Sequence, residues 1–468
     1  MAYIGVKPTI GNFQICDAIS VVNGQAAYTM QVGSVNVSPQ SANHMIVSLN
    51  GVIQKPGSSY TVSGNTITFA SNLATGDVID FIQILGDVLD LGVPSDATVT
   101  TAKLVDNAIT SAKVSDGVLK PPHRNIIING DMSVAQRSTS TASITSGGYH
   151  TVDRFYTGVT TAGTWTQSQS TTVPSGQGFA TSLKMDCTTA DSSLAAGDLI
   201  QLVQYIEGQN VQYLKYGTSS AESLTLSFWV RSNKTGTYIA ELRNTDNTRT
   251  RSLSYTISSA DTWEKKTITF GGDTNSGPNN DNGEGLRLTF WLAAGSNYSS
   301  GTLATDWEST TQANRAVGQV NLADSTSNEW YITGIQLEVG TAASDFEFLP
   351  TDINLEKCYR YFQLINTGGV GKIIGTGGAY DNNTLLLTYT WVPKRTTPSL
   401  YQVSGTGYFY FYGSGSENDA FDLWKIYSPN YLHGLIYSDD SSISVSDNVL
   451  GWFQLNNSAA VLGLQAEL

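Results

Sequence analysis

The sequence predicts an all-β protein with several domains, and three observations support this prediction. Charged residues make up only 14% of the 468 residues, fewer than long solvent-facing helices require. Gly (45) and Tyr (23) are abundant, as expected for turns and sheet surfaces. Segment after segment alternates apolar and polar residues between turn signals. A chain of this length also exceeds one hydrophobic core, so about two to four domains are expected.

Charge and cysteine usage exclude several classes of protein. The formal net charge of −14 argues against a nucleic-acid-binding surface. Cys16, Cys187 and Cys358 form neither a disulfide framework nor a metal-binding pattern, which predicts reduced, buried thiols in a chain folded in a cytoplasm. The first residues, "MAYIGVKPTIGNFQ", lack the apolar region of a signal peptide, and no apolar run approaches the ~20 residues that span a bilayer. We therefore expect neither signal-peptide secretion nor membrane insertion.

Residues 1–89 are predicted to form a small β-sandwich. Alternating segments are separated by turn signals such as Asn50-Gly51, which is typical of a tight hairpin. The predicted strands are 45–49, 59–62, 66–69 and 78–85.

Residues 90–122 contain a ten-residue pseudo-repeat, "TVTTAKLV" followed by "NAITSAKV". Its few apolar residues cannot bury a core, and their spacing fits neither a heptad seam nor an amphipathic helix. The segment is either a flexible tether or one strand of a rod built from several identical chains. Pro121-Pro122 closes it, because prolines cannot continue a strand ladder.

Residues 123–350 are predicted to form a jelly-roll β-sandwich. Strand follows strand along this segment, and in one of them Leu224, Leu226 and Phe228 share an apolar face. So many strands in one domain close most naturally as two packed sheets.

Residues 351–468 are predicted to form a short helix and a C-terminal β tip domain. The helix is indicated by "TDINLEKCYR" (351–360), with Asp352 as its expected N-cap. The segment after it is again β and unusually aromatic.

Four segments resemble phage tail-fibre proteins and occur in the order expected for that family. They are "HRNIIINGDMSVAQRST" (123–139), "YHTVDRFY" (149–156), "SFWVRSNKTGTY" (227–238) and "WYITGIQLEVGTAASDFEFLPTDINLEKCYRYF" (330–362). The resemblance extends over about half of the chain. It implies that the jelly roll is of the carbohydrate-binding-module-like kind and that a distal tip domain follows it.

Two further segments are similar to other parts of such fibres. Residues 43–86 resemble virion-anchoring domains of short-tailed phages through "LNGV", "PGSSY", "TITF" and "GDVI". This implies that residues 1–89 dock on a tail adaptor or nozzle protein. "TAKLVDNAITSAKV" resembles the stalk segments of this trimeric family. The resemblance implies a homotrimeric stalk in which apolar residues of three chains pack together, namely Val99, Leu104, Ile109 and Val114.

No catalytic residues are predicted. Polysaccharide-cleaving tailspikes use pairs of Asp and Glu but usually carry long parallel β-helix repeats, which the sequence lacks. No Gly-x-Ser-x-Gly occurs, and the four histidines are scattered, so neither a nucleophilic triad nor a zinc site is indicated. The carboxylates that could be considered for catalysis are Glu207, Asp261, Glu264, Asp273, Asp281, Glu284 and Glu338.

The loop "GGDTNSGPNNDNGEG" (271–285) is rich in side-chain oxygens, which are the ligands that calcium prefers. It lacks the spacing of an EF-hand, and an ordinary Gly/Asn turn is favoured. No metal and no cofactor are predicted.

The aromatic run at 408–412, "YFYFY", is the most unusual local feature. Alternate side chains of a strand face opposite sides, so the Phe face is predicted to turn inward and the Tyr face toward solvent or a neighbouring chain. An exposed Tyr face suits stacking on sugar rings, and a trimer interface is the alternative. The predicted receptor-binding residues are Tyr408, Tyr410 and Tyr412, with Trp424 from a weaker group that also contains Trp391, Tyr427, Tyr431 and Trp452.

These inferences together predict a non-enzymatic, homotrimeric subunit of a phage tail fibre, synthesised in the host cytoplasm and carried in the virion. Its N-terminal domain is expected to attach to the tail and its C-terminal half to contact a host-surface glycan. A polysaccharide-degrading tailspike and a purely structural connector fibre are the alternatives.

Overall fold

A computed structural model describes residues 13–85, 123–367, 369–427 and 429–468, and the fold is all-β, as predicted. The chain divides into two compact units, Met1–Lys113 and Val114–Leu468. The predicted stalk, with Val99, Leu104, Ile109 and Val114, lies outside the described residues, so its trimeric packing stays a prediction.

The N-terminal unit is a small sandwich of two sheets, with strand orders β1-β9-β5-β6 and β2-β8-β7, and a separate β3-β4 pair. Its core lies between the sheets, where Tyr28 and Phe69 face Val47 and Ile82. The strands are β1 (Gln14–Ile15), β2 (Gln25–Thr29), β3 (Gln31–Val32), β4 (Val35–Asn36), β5 (Met45–Leu49), β6 (Val52–Ile53), β7 (Tyr60–Ser63), β8 (Thr66–Leu73) and β9 (Ile79–Ile84).

The Asn50-Gly51 signal produces the predicted hairpin between β5 and β6. Leu49 pairs with Val52, and both turn residues have positive φ, 52° for Asn50 and 77° for Gly51. That combination defines a type I′ turn, which matches the twist of the strands that it joins.

The jelly roll consists of one continuous sheet that curls over itself, in the order β17-β14-β20-β12-β11-β13-β18-β15-β16-β19, with β10 beside β11. The long strand β11 bends at Gly163, which has a φ of 77°, and pairs with β13 before the bend and with β12 after it. The strands are β10 (Ser140–Tyr149), β11 (Tyr156–Ser170), β12 (Ser182–Thr189), β13 (Leu199–Glu207), β14 (Leu224–Ser232), β15 (Gly236–Asn244), β16 (Arg249–Ile257), β17 (Glu264–Phe270), β18 (Glu284–Ala294), β19 (Glu308–Ser309) and β20 (Glu329–Val339).

The two halves of the curled sheet face each other across an aromatic core. Phe228 of β14 lies 5.0 Å from the ring centroids of both Tyr255 and Phe290, which belong to the opposite half. Leu224 and Leu226 are buried on the same face of β14, as their alternation predicts. The expected two-layer packing is therefore present.

The predicted helix exists but begins differently from the prediction. Helix α2 spans Thr351–Tyr359 and follows the short helix α1 (Ser296–Ser299). Its N-cap is Pro350, with no side-chain hydrogen bond, so the assignment of Asp352 as the cap is wrong. Pro350 is extended there, and Asp352 instead adds negative charge to the first turn, which suits the helix dipole. The 3-10 helices are Ala42–His44, Gly208–Leu214, Gln312–Asn314, Leu322–Asp324 and Ser414–Ser416.

The tip domain is a third sandwich, with sheets β26-β25-β29-β22-β23-β28-β27 and β21-β30-β24. Phe409, Phe411 and Phe453 of the larger sheet fill its core together with Leu462 of the smaller sheet. The strands are β21 (Phe362–Thr367), β22 (Ile373–Asp381), β23 (Thr384–Thr390), β24 (Ser399–Val403), β25 (Phe409–Gly413), β26 (Asn418–Phe421), β27 (Lys425–Tyr427), β28 (His433–Ser438), β29 (Leu450–Leu455) and β30 (Val461–Gln465).

The three cysteines are buried and free, as predicted. Burial raises the pKa of the Cys16 and Cys187 thiols to about 11 and that of Cys358 well above its ordinary value, so all three are held as neutral thiols. Within the residues that the structure describes, no helix is long and apolar enough to cross a membrane.

Buried charges join the jelly roll to the tip domain, and we call this set the junction (Arg154, Glu207, Arg360, Tyr361 and Glu467). Arg360 donates to both carboxylate oxygens of Glu207 at 2.6 Å, and the Tyr361 hydroxyl donates to Oε1 of Glu207 at 2.6 Å. Arg154 donates to Glu467 and stacks on Tyr361, with its guanidinium carbon 3.4 Å from the ring centroid. Both Arg154 and Glu207 are buried, so each needs these partners to offset the cost of removing its charge from water.

The pKa of Glu207 shows whether burial or hydrogen bonding has the larger effect on this carboxyl. Burial alone would raise the pKa of this carboxyl, because it disfavours the charged form. Hydrogen bonds from Arg360 and Tyr361 outweigh burial, and the pKa lies below its usual value. The carboxylate is therefore charged at neutral pH and holds the two domains together as an ion.

Removing the cation from this pair is expected to destabilise the second unit. Arg360→Met leaves the Glu207 carboxylate buried without a cation, which we expect to lower the free energy of unfolding by about 3 kcal/mol. Lys425→Met removes an exposed ion pair with Asp439 and is the control, which we expect to unfold as wild type. Chemical denaturation of both variants measures the difference, and equal stabilities would contradict the role of the junction.

Candidate functional site

Four residues of the "YFYFY" run lie in β25, which begins at Phe409, and the predicted alternation of side chains is present in them, whereas Tyr408 precedes the strand. Phe409 and Phe411 are buried, whereas Tyr410 and Tyr412 are partly exposed on the outer face of the sheet. The apolar face turns inward because Phe has no polar group to solvate, and Tyr keeps its hydroxyl at the surface. The outer face of the sheet is therefore the candidate site.

Tyr410 and Tyr412 belong to a larger exposed cluster that β29 completes, and we call it the aromatic patch (Tyr410, Tyr412, Leu450, Trp452 and Gln454). Trp452 pairs with Tyr412 across the strands, and their rings stack at 5.3 Å with an angle of 12°. The ring of Tyr410 lies 4.5 Å from that of Tyr412. Trp452 is 44% exposed and Leu450 is 72% exposed, so the patch presents a continuous apolar surface to solvent.

Polar side chains lie beside the rings of the aromatic patch, on β29 itself and on the neighbouring strands β26 and β22. Gln454 is opposite Tyr410, Asn418 is opposite Tyr412 and Thr376 is opposite Trp452. Apolar rings with hydroxyl and amide groups beside them match a sugar ring, whose C–H face is apolar and whose edge carries hydroxyls. The arrangement can bind a neutral saccharide without any charged group.

Two glycines allow β25 and β29 to approach each other beneath the patch. Gly413 pairs with Gly451, and a Cβ built on Gly451 would lie 2.0 Å from the carbonyl oxygen of Tyr412 and 2.7 Å from the ring of Phe411. Any side chain at Gly451 would therefore push the strands apart. The stacking of Tyr412 on Trp452 depends on this close approach.

The other predicted aromatic residues divide between core and surface. Trp424 is 1% exposed and packs against Phe409, Phe421 and Phe453, so its assignment as a receptor contact is wrong. It follows β26 on a short connection that turns into the core, which strand alternation does not cover. Tyr408 is partly buried against the same core, and Trp391 is buried, while Tyr427 and Tyr431 are exposed.

Sequence reasoning gave Trp452 too little weight. The sequence pattern alone assigns it to the weaker group, yet it is the most exposed ring of the aromatic patch. The segment "LGWFQL" alternates in the same way as "FYFYG", with Leu450, Trp452 and Gln454 on one side and Phe453 on the other. This shared alternation indicates that Trp452 lies on an outer face, as Tyr410 and Tyr412 do. Only the pairing of β25 with β29 brings the two outer faces together.

The seven candidate carboxylates have partners within the chain. Glu207 binds Arg360, Glu284 binds Arg287 and Glu338 binds Arg124. The remaining pairs or bonds are Asp261 with Arg231, Glu264 with Lys266, Asp273 with Arg249, and Asp281 with the Gly283 backbone N–H. A general acid needs a raised pKa. The pKa values of Glu207 and Glu264 are lowered. Burial raises the pKa of the Asp153 carboxyl to about 6, but this group is inaccessible to a substrate.

The loop 271–285 uses its carboxylates for its own structure. Asp273 pairs with Arg249 and accepts from the Asn275 N–H, and Asp281 accepts from the Gly283 N–H. Within the described ranges, no group of three or more His, Cys, Asp or Glu residues is arranged to hold a metal ion. The loop therefore has the internal hydrogen bonds of a turn.

No protein-family model and no curated protein sequence matches the chain. Among solved structures, the enzymatically active domain of tailspike protein 4 of bacteriophage CBA120 is similar at 15% identity and a TM-score of 0.25, over 47% of this chain and 22% of that one. A putative sugar binding protein from Bacteroides thetaiotaomicron is similar at 13% identity and a TM-score of 0.27, over 46% of this chain and 100% of that one. TmCBM61 in complex with beta-1,4-galactotriose is similar at 13% identity and a TM-score of 0.24, over 46% and 99% of the two chains. These low values assign neither a family nor a function.

A side chain at Gly451 is expected to disrupt the aromatic patch from beneath. Gly451→Ala should destabilise the tip domain by about 1–3 kcal/mol, because its Cβ overlaps the backbone of β25. Gly197→Ala, where the nearest heavy atom is 3.9 Å from the new Cβ, is the control. Thermal unfolding measures stability and tryptophan fluorescence reports the Tyr412–Trp452 stacking. A Gly451→Ala protein that matches the Gly197→Ala protein in both would contradict the predicted overlap.

Proposed function

We propose that this chain is a non-enzymatic subunit of a bacteriophage tail fibre that adheres to a host-surface glycan through the aromatic patch. The observation that carries the proposal is the exposed stack of Tyr412 and Trp452 with Tyr410 beside it. Exposed aromatic clusters of this kind are uncommon on proteins that have no binding partner. The resemblance of four segments to tail-fibre proteins supports the fibre assignment.

The chemistry of the aromatic patch supports a glycan as the ligand. A sugar ring that stacks on an aromatic side chain contributes on the order of 1 kcal/mol, which is too weak for adhesion by one site. A homotrimer would present three patches, and further patches bind at high effective concentration once the first is engaged. Weak single contacts and several copies together explain adhesion without a deep pocket.

Attachment to the tail is proposed for the N-terminal unit. Its outer surface exposes Phe13 and Ile15, near one end of the described segment, and also Val52, Ile53 and Phe81. Apolar side chains exposed in this number favour contact with another protein. A tail adaptor or nozzle protein is the partner that the resemblance of residues 43–86 implies.

A polysaccharide-degrading tailspike is the alternative from another class. Incubation of the full chain with capsular or lipopolysaccharide preparations, followed by measurement of new reducing ends, distinguishes it from an adhesin. We expect binding without an increase in reducing ends. Release of oligosaccharides would replace the proposal by an enzymatic function.

Truncation of the most exposed ring of the patch is expected to weaken adhesion. Trp452→Ala in the full chain should lower apparent affinity about fivefold or more, since 1 kcal/mol per site corresponds to that factor and several sites multiply it. Glycan arrays and suspensions of candidate host bacteria measure binding. Tyr213→Ala, which truncates an exposed aromatic residue of the jelly roll, is the control and should bind as wild type.

Two results of the same experiment would overturn the proposal. A folded Trp452→Ala chain that binds every target as wild type would show that adhesion does not use the aromatic patch. A Trp452→Ala chain that changes from trimer to monomer by mass measurement in solution would identify the patch as a subunit interface.

A further inference from the structure

An open depression of the surface, with chemistry different from that of the aromatic patch, lies beside the junction. It has a volume of about 450 Å³ and is bounded by residues of both the jelly roll and the tip domain. We call it the basic pocket, and it is lined by Gln209, Asn282, Arg360, Lys394, Arg395, Thr396, Thr397 and Tyr431. Three of these residues are cations.

Lys394 is the most unusual of the three cations. It is only 2% exposed, and its ammonium group donates to the backbone carbonyl of Tyr359 and to Oε1 of Gln363. Within the described part of the chain, no carboxylate lies at ion-pair distance from it. Burial without a counter-charge lowers the pKa of Lys394 to about 7.

Arg395 makes no salt bridge to a carboxylate among the described residues, although Glu207, the partner of Arg360, also acts on its charge. Its guanidinium group donates to three backbone carbonyls, those of Asn282, Ala466 and Glu467. Arg360 is neutralised by Glu207. Arg395, joined by Lys394 in those molecules in which its amine is protonated, therefore leaves the basic pocket with more positive than negative charge.

This excess stands against the charge of the whole molecule. The chain carries a formal net charge of −14, so a general attraction for anions is not expected of it. A concave site lined by cations in an otherwise acidic protein concentrates the positive potential at one place. Such a site favours a ligand with a localised negative charge.

The rim of the basic pocket has groups that suit a saccharide. Thr396 and Thr397 are exposed, and so is the ring of Tyr431. Hydroxyl groups can donate to and accept from sugar hydroxyls, and an exposed Tyr ring can pack on the apolar face of a sugar. The cations lie deeper, so an anionic substituent would enter first and the sugar ring would remain at the rim.

We propose that the basic pocket binds an acidic saccharide through its anionic group, which is a carboxylate or a phosphate. The anion would supply the salt-bridge partner that Lys394 and Arg395 do not have among the described residues. This site is separate from the aromatic patch, and the proposal does not depend on adhesion through that patch. It adds selection for acidic glycans to a surface that otherwise suits neutral ones.

Titration of the full chain with three sugars of similar size tests the proposal. Sodium glucuronate, glucose 6-phosphate and glucose are each added at low ionic strength, and binding is measured by calorimetry or by ligand-observed NMR. We expect at least one of the two anionic sugars to bind in a saturable manner and glucose to show no saturation over the same range. Binding of glucuronate alone would assign a carboxylate, and binding of glucose 6-phosphate alone would assign a phosphate.

Variants at the rim localise the binding without disturbing the buried residues. Thr397→Glu adds a carboxylate at the mouth of the pocket. It should weaken the binding of the anionic sugars about tenfold or more, because the added carboxylate repels their negative group. Thr171→Glu adds the same charge at an exposed threonine that does not line the pocket, and it should bind as wild type.

Three results would overturn the proposal. Glucose that binds as well as glucuronate would remove the role of the negative charge. Thr397→Glu that binds the anionic sugars as wild type would place the binding elsewhere. Inorganic phosphate that binds as tightly as glucose 6-phosphate, with no binding of glucuronate, would show an anion site without saccharide recognition.

Discussion

The contact of Glu207 with Arg360 and Tyr361 is the interaction on which the arrangement of residues 123–468 depends. A carboxylate that is 0% exposed must have close donors, and two of them, Arg360 and Tyr361, belong to the segment that enters the tip domain, whereas Gln209 donates from the jelly roll. Arg154 adds a second buried charge, which Glu467 neutralises from the other end of the tip domain. Because each ion would be costly to leave unpaired, the two sandwiches have one favourable arrangement.

Three of the four segments that resemble tail-fibre proteins contribute residues at this junction or directly beside it. Arg154 belongs to "YHTVDRFY", and Arg360 and Tyr361 belong to "CYRYF". The "HRNIIINGDMSVAQRST" segment also contributes, because Gln136 donates to the Phe362 carbonyl and to Asp153. These residues join the domains and are mostly buried, so the resemblance describes how the scaffold is built. The aromatic patch lies outside these motifs.

The sequence predicted the elements well and the contacts between them poorly, for a physical reason. Alternation fixes which side chains of a strand share a face, and this was sufficient for β5, β14 and β25. It does not fix which strands become neighbours, so the stacking of Trp452 on Tyr412 was not predictable from either strand alone. The burial of Trp424 and the pairing of Glu207 with Arg360 depend on contacts between residues that are distant in sequence, and only the folded chain shows these contacts.

The two candidate binding surfaces differ in what holds them in place and in the kind of ligand that each one suits. The aromatic patch is built on a sheet whose inner face is filled by Phe411 and Phe453, so its rings are held in place before any ligand arrives, which reduces the entropy lost on binding. The basic pocket is held by hydrogen bonds from Arg395 to backbone carbonyls, and its unbalanced charge makes it selective for the sign of the ligand. Stacking tolerates many sugars, whereas the pocket rejects those without a negative group. A glycan bound by both surfaces would owe its affinity to the first and its discrimination to the second.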